Sequence, residues 1–254
     1  MVRRGLARSR DNAIDLIDRG QVLVNGIPAS KAASQVDAQI SITLKDDHDE
    51  FVSRGGHKLA GALDHFSTLS VEGKMALDAG ASTGGFTDVL LKRGVNKVVA
   101  VDVGYGQLAW QLQKDPRVKI LDRVNVRTLT SEQVGEEIDL VVADLSFISL
   151  KLVLPALIAV ANQEADFLVM VKPQFEVGKE KLGAGGVVRD AHLRTEAVAS
   201  VADTAYSLGL GSLGVVASPL PGPSGNVEYF LWLHKGAPAL LEVDLDLAIQ
   251  KGPA

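Results

Sequence analysis

The sequence predicts an α/β protein: a mostly parallel sheet with helices on both faces, preceded by a small α+β domain. Three observations carry this expectation. Apolar strand-like runs alternate with helical segments between Met75 and Gly209, the pattern of strand–helix–strand units in a parallel sheet. Two further strand-like runs, 210–220 and 226–234, follow each other with a short connection, which predicts an antiparallel pair at one edge. The polar run "KDDHDE" at 45–50 separates all of this from a shorter N-terminal segment with its own helix and strand signals. The expected division is 1–46 for the small domain, 47–53 for a linker and 54–254 for the sheet domain.

In the N-terminal segment, "SRDNAIDLIDRG" reads as a helix. Ser9 is its expected N-cap and Gly20 its C-cap, with apolar positions at Ala13, Ile14, Leu16 and Ile17. "QVLVNG" is a short strand ending in an Asn-Gly turn, and "QISITL" alternates like a second strand. After the boundary, "RGGHKLAGALDHF" reads as a helix. "MALDAG", "KVVAVDVG", "VKILDRVN", "IDLVVADLSF" and "DFLVMVKP" follow as strands. Between them "GGFTDVLLKRG", "QLAWQLQKD" and 150–162 read as helices, and "HLRTEAVASVADTAYSLG" as a long one. "LGSLGVVASPL" and "NVEYFLWLH" close the chain as strands.

The 254 residues are enough for a sizeable core, with 46% hydrophobic and 22% charged residues. With no cysteine, disulfides and thiolate metal sites are excluded. The five histidines have no metal-ligand spacing, so no metal is expected. The start carries arginines without an apolar segment, unlike a secretory signal. The longest apolar run, Leu152 to Ala161, contains Pro155 and is too short to span a membrane. A cytoplasmic protein is expected. The net charge is −5, yet the first ten residues hold Arg3, Arg4, Arg8 and Arg10 and no acid. Such asymmetry marks a local polyanion-binding face or a solvated basic end.

The stretch "LDAGASTGGFTDVLL", 77–91, is the candidate ligand loop, because ligands of doubly wound sheets sit beyond the carboxyl ends of the strands. A dinucleotide fingerprint needs a second glycine where Ser82 stands. A phosphate loop needs a lysine where Phe86 stands, between Gly85 and Thr87. S-adenosylmethionine, which has no phosphate, fits better. Gly80, Ala81, Ser82, Thr83, Gly84, Gly85 and Phe86 form a small-residue loop that permits close approach. Asp78 offers an anion to a cationic ligand, Asp102 a partner for ribose hydroxyls, and Asp122 a partner for an adenine edge.

The stretches "SRGGHKL", "LDAGASTGGFT", "VDVGYGQLAW", "DLVVADLSFISL", "VKPQFEVGK" and "SPLPGPSGNVEYFLWL" together closely resemble the TlyA family. These are FtsJ-like ribosomal RNA ribose methyltransferases, sometimes labelled hemolysins, with a Rossmann-like methyltransferase sheet. The N-terminal segment resembles the small RNA-binding motif named after a ribosomal small-subunit protein. The family's N-terminal module usually has a further helical turn or two before "RRGLARSR". The resemblance implies methyl transfer from S-adenosylmethionine to a cytidine ribose 2′-hydroxyl, in ribosomal RNA within ribosomal subunits. No membrane and no protein partner are implied.

The family's Lys-Asp-Lys-Glu tetrad maps onto Lys58, Asp144, Lys172 and Glu228. Lys172 is the expected base or activator of the hydroxyl, and Asp144 orients it near the transferred methyl. Lys58 and Glu228 complete the charge network. Arg4, Arg8, Arg10, Arg19 and Asn25 are the expected RNA contacts. The glycine-rich stretch with Lys179, Lys181 and Arg189 reads as a closing loop or a mobile surface loop. Trp110 and Phe147 flank the adenine pocket or belong to the core, and core packing is the preferred reading. The linker is expected to couple RNA binding to cofactor binding. The competing readings are a methyltransferase for a protein or small molecule, a catalytically inactive RNA-binding protein, and a membrane-active hemolysin.

Overall fold

In the computed structural model the chain divides into two compact units, Met1–Glu50 and Phe51–Ala254. The structure describes residues 1–7, 9–18, 20–29, 31, 32, 34, 36, 40–44 and 51–252. Arg8, Arg19 and the linker residues 47–50 lie outside these.

The first unit is built from α1 (Arg10–Asp18), β1 (Val22–Val24), β2 (Ile27–Pro28) and β3 (Ile42–Leu44). Ser9 Oγ accepts the Asn12 N–H at 3.1 Å, the expected capping bond. Gly20 ends the helix at φ 66°. Asn25 and Gly26 both take positive φ, 50° and 80°, as the tight turn between β1 and β2 requires. The strands pair antiparallel in the order β2-β1-β3. Val22 is the buried hydrophobic residue of this unit among those described. Ala13, Ile14 and Ile17 instead line an open cavity of about 840 Å³ with Val2, Val36 and Ile42.

The second unit begins with α2 (Arg54–His65), then β4 (Met75–Ala79), α3 (Gly85–Lys92), β5 (Lys97–Asp102), α4 (Trp110–Gln113) and β6 (Val118–Asp122). It continues through α5 (Ser131–Val134), β7 (Ile138–Ala143), α6 (Leu154–Val160), β8 (Ala161–Val171) and α7 (Pro173–Glu176). It closes with α8 (Ala191–Ser207), β9 (Leu210–Ala217), β10 (Tyr229–Lys235) and α9 (Glu242–Gln250). Seven strands form one sheet in the order β6-β5-β4-β7-β8-β10-β9. β4 to β8 pair parallel. β10 runs antiparallel to both β8 and β9. The antiparallel pair thus stands at one end of the sheet, with β9 outermost.

Both faces of the sheet are covered. Leu77, Val99, Val141, Phe167, Val169 and Tyr229 pack in the cluster that includes residues of α6, α8 and α9. Ala76, Val98, Val142, Leu168, Met170 and Phe230 pack in the cluster that includes α2 and α3. Successive strand residues point to opposite faces, so strands buried on both sides read as continuous apolar runs. That is why the strands are legible in the sequence.

Three boundaries and one element differ from expectation. The linker ends before Ser53: Phe51 is buried in the second unit's core, and the Val52 N–H donates to Asp88 Oδ2 at 2.9 Å. The helical run expected to reach Asn162 stops at Val160. Ala161 pairs with Ile138, so sheet pairing wins over local helical periodicity. The helix expected over 107–115 shrinks to one turn, Trp110–Gln113. Finally, α9 follows the last strand. Its "EVDLDLAIQ" alternates like a strand, yet it buries Leu245, Ala248 and Ile249, the spacing of one helix face.

Candidate active site

β4 delivers the glycine loop. Gly80 and Ala81 both donate their N–H to Val101 O, at 2.9 and 3.1 Å, so the loop turns across the end of β5. Gly80 has φ 88°, and a Cβ there would lie 2.5 Å from Asp144 O. Only glycine fits at both counts. At Gly85 a Cβ would lie 2.3 Å from Ser53 Oγ and 2.7 Å from Gly56 N. The small residues expected to admit a ligand thus first admit neighbouring backbone. Gly55 differs. A Cβ there would make only ordinary contacts with Ser53 Oγ, Asp144 Oδ2 and Phe86, so its absence leaves space open. Gly55, Ser53, Phe86, Asp144 and the loop residues Gly80, Ala81, Ser82, Thr83 and Gly85 line a cavity of about 100 Å³. Pockets that enclose a drug-sized ligand span roughly 300–1,000 Å³. This cavity accepts one end of such a molecule.

The acids around the loop organise it. Asp78, expected to face the ligand's cation, has no exposed surface. Its Oδ2 accepts the Thr87 N–H at 3.0 Å and Oγ1–H at 2.7 Å, fixing the first turn of α3. Its Oδ1 is buried without a partner. Burial pushes the carboxyl up to about 7, against the opposing bonds from Thr87. Asp102 accepts the Ser82 N–H at 2.8 Å through Oδ2 and the Gly104 N–H at 2.7 Å through Oδ1. Asp122 Oδ2 accepts the Gly106 N–H at 2.9 Å. Asp102 and Asp122 pair in register at the ends of β5 and β6, the carboxyl edge where the sequence reading put them. Each carboxylate oxygen has a further lone pair for a ligand hydroxyl or amine.

The four tetrad residues form two ion pairs. Lys58 Nζ lies 2.5 Å from Glu228 Oε2, with side chains only 8% and 1% exposed. Lys172 Nζ lies 2.5 Å from Asp144 Oδ1. This second pair lacks hydrogen-bond alignment, which leaves Asp144 Oδ1 without a donor; the ammonium donates instead to Ser146 Oγ at 2.9 Å. Strand register explains the convergence. Ala143 pairs with Val169 and Tyr229 with Val171, so Asp144, Lys172 and Glu228 leave three adjacent strands at one edge. Lys58 stands one helical turn beyond Gly55 on α2. Asp144 itself lines the cavity, so the Lys172 pair borders it directly. Glu228 lies close over Gly222, where a Cβ would come 2.6 Å from its Oε1.

Around the tetrad the structure adds residues that the sequence reading left without a role. Asn226, buried, accepts the Val188 N–H at 2.9 Å and donates to Gly186 O at 3.1 Å. It ties the glycine-rich loop to the segment that carries Glu228. Glu176 Oε2 accepts the Ser149 Oγ–H at 2.5 Å and Oε1 accepts the Leu150 N–H at 2.7 Å. Burial pushes its carboxyl above the usual range, opposed by those two bonds. The signal for both was their place in "VKPQFEVGK" and "PGPSGNVEY", each beside a tetrad residue. Trp110 and Phe147 do not pack in the core: they are 73% and 93% exposed. Phe147 takes φ 64° and sets its ring 5.2 Å from that of Phe175. A large residue in this backbone region is strained, a state concentrated at functional sites.

In the first unit Arg4 and Arg10 are exposed, and Arg4 Nη1 donates to Ile40 O at 2.6 Å. Asn25 Oδ1 accepts the Ser41 N–H at 3.2 Å, so part of its side chain serves the turn. Among the described residues no group of three or more His, Asp or Glu is placed to hold a metal ion. None of their helices is long and apolar enough to cross a membrane.

Residues 51–235 match the FtsJ-like methyltransferase family. The chain belongs to that family. Residues 1–39 match the S4 domain. The FtsJ-like domain therefore spans the sheet, the glycine loop and all four tetrad residues. Among relatives, the 16S/23S rRNA (cytidine-2'-O)-methyltransferase TlyA of Mycobacterium tuberculosis is 56% identical. The match covers 100% of this chain and 96% of that protein, and it puts the chain with the TlyA proteins. Hemolysin A of Brachyspira hyodysenteriae is 37% identical over 89% of this chain and 93% of its own length. A solved structure from Streptococcus thermophilus superposes with a TM-score of 0.81 at 35% identity, covering 97% of this chain and 92% of that one.

Proposed function

We propose that this FtsJ-like methyltransferase moves the methyl group of S-adenosylmethionine to the ribose 2′-hydroxyl of a cytidine in ribosomal RNA, acting in the cytoplasm on ribosomal subunits. One observation carries the reading. Two lysine–carboxylate pairs converge at the carboxyl edge of the sheet, and one of them borders the cavity under the glycine loop. The TlyA relative named for that reaction, similar over its whole length, supports the substrate.

The residues fit the cofactor. The space at Gly55 would receive the methionine end. Asp102 and Asp122 remain for ribose and adenine. When bound, S-adenosylmethionine supplies an activated methyl on a good leaving group. What remains for the protein is alignment and a path for one proton. The 2′-hydroxyl would lie against Lys172 Nζ, which would activate it and help its proton leave as the oxygen is methylated. Asp144 and Ser146 hold that nitrogen at the cavity wall. The buried Lys58–Glu228 pair would complete the charge network, and Lys58 would steady negative charge growing on oxygen. Phe147, exposed beside Asp144, offers a ring for a base to stack on. Arg4 and Arg10 in the S4 domain, with Arg8, Arg19 and Asn25, hold the RNA backbone, where cations contribute affinity rather than sequence choice.

The test is transfer of tritium from methyl-labelled S-adenosylmethionine to undermethylated ribosomal subunits, located by nuclease digestion. Wild type should label 2′-O-methylcytidine. Lys172→Ala should lose about 10²- to 10⁴-fold in rate, the range for a positioned acid–base group, with cofactor affinity retained. Label on protein, or none on either subunit despite cofactor binding, would refute the reading.

A further inference from the structure

Lys172 is held by more than its ion pair. Beyond β7 the chain runs through Leu145, Ser146 and Phe147 to Leu150. Beyond β8 it enters α7 directly after Lys172, with Pro173 at the first helical position. Pro fixes φ there and makes this short turn a stiff extension of the lysine's own backbone. Three contacts zip the two segments together. Lys172 Nζ donates to Ser146 Oγ at 2.9 Å, the rings of Phe147 and Phe175 lie 5.2 Å apart, and Glu176 bonds both Ser149 and Leu150. The first contact directs the lysine, and the second sets an exposed ring against a half-buried one. The third is the anchor: one side chain accepting two short hydrogen bonds. Ser149 is also the cap of the short turn Leu150–Leu152, its Oγ accepting the Lys151 N–H at 3.2 Å. Glu176 therefore grips the loop where it becomes regular structure again.

We infer that Glu176 is a positioning residue for the methyl transfer, stapling the loop 146–150 to α7 so that Ser146 and Asp144 aim the Lys172 nitrogen. This rests on the reaction proposed above. The carboxylate reaches neither the cavity lining nor the tetrad, so it acts through the loop. The staple needs two hydrogen bonds, not a charge. A glutamine can accept the Leu150 N–H through its oxygen and donate to Ser149 Oγ through its nitrogen. An alanine can do neither.

The experiment compares wild type, Glu176→Ala, Glu176→Gln and Ser149→Ala in tritium transfer from labelled S-adenosylmethionine to undermethylated ribosomal subunits. Cofactor Kd by calorimetry and Tm are measured alongside. Glu176→Ala should lower kcat about 10- to 100-fold, the scale of a catalytic group displaced by about 1 Å. Its KM for both substrates and its cofactor Kd should stay within about threefold of wild type. Glu176→Gln should restore kcat to within about threefold of wild type. Ser149→Ala, which removes one of the two bonds together with the cap bond to Lys151, should fall between. Wild-type kcat in Glu176→Ala would overturn the staple. So would a glutamine variant as slow as the alanine one, or losses confined to KM. If Glu176→Ala is too unstable to assay, the glutamine and Ser149→Ala variants decide alone: a Gln variant slower than Ser149→Ala overturns the inference. Absence of transfer by wild type would instead refute the proposed reaction, which keeps the two failures apart.

Discussion

The two units of this chain are held together by different physics. The FtsJ-like domain buries both faces of a seven-stranded sheet, with Leu77, Val141 and Leu168 wholly excluded from solvent. The S4 domain, among its described residues, buries Val22 and leaves Ile14 44% exposed on the helix that should supply its core. Its described residues also show local devices: the Ser9 cap, the Gly20 stop and the Asn25-Gly26 turn. A sheet covered on both sides fixes side chains to fractions of an ångström, as the tetrad needs. A small unit with basic residues on an open frame suits a backbone partner that is gripped rather than cut or built. On the proposed function, the difference would divide labour between chemistry and grip.

Core truncation gives the largest contrast. Leu168→Ala should cost about 2–5 kcal/mol, the range for emptying a wholly buried site. Ile14→Ala, half exposed, should cost under about 1 kcal/mol. Denaturant unfolding of the full chain measures both, and equal costs would erase the distinction between the units.

A smaller effect is pH-dependent and belongs to the FtsJ-like domain alone. Asp78 titrates near its ordinary 3.8 when unfolded and is pushed up to about 7 in the folded domain. Between those values the folded state binds a proton that the unfolded chain does not. Its contribution is full below about pH 4 and is lost as pH rises through about 7. Asp78→Asn should flatten this part of the curve. Stability profiles of wild type and variant that stay parallel from pH 5 to 8 would rule the assignment out.

The finest test separates grip from chemistry. Replacing Arg4 and Arg10 by alanine should weaken binding to ribosomal RNA and reduce the salt slope of binding by about 2, one for each lost phosphate contact. Cofactor affinity should not move. A change in cofactor Kd would show that the units are coupled, as the linker reading expects, and would blur the division drawn above.

Much of the site was legible because its residues sit at strand ends. Asp144 follows "IDLVVA", Lys172 follows "FLVMV" and Asp102 ends "KVVAVD", so apolar runs point to them. Lys58 and Glu228 could be placed only through the resemblance, since neither helix periodicity nor a turn marks a lysine that will meet a glutamate 170 positions away. Asp78 shows the same limit of local sequence. A sequence shows that an acid ends a strand, but not that Thr87 will turn back and claim it. Hydrophobicity favours the core over the adenine pocket for Trp110 and Phe147, yet both face solvent. Transfer preference ranks residue types and does not know which positions a fold leaves outside.

The sequence by itself determined the strand–helix alternation, the small-residue loop and the break near residue 50. These rest on local rules: period, turn chemistry and backbone freedom. Only the tertiary structure decided that Gly80 yields to Asp144 O, that Gly55 opens the cavity, and that four charges form two pairs. It also decided that β10 slips between β8 and β9. Each of these depends on which distant segments lie side by side, and strand register supplies that order where local sequence has no term for it.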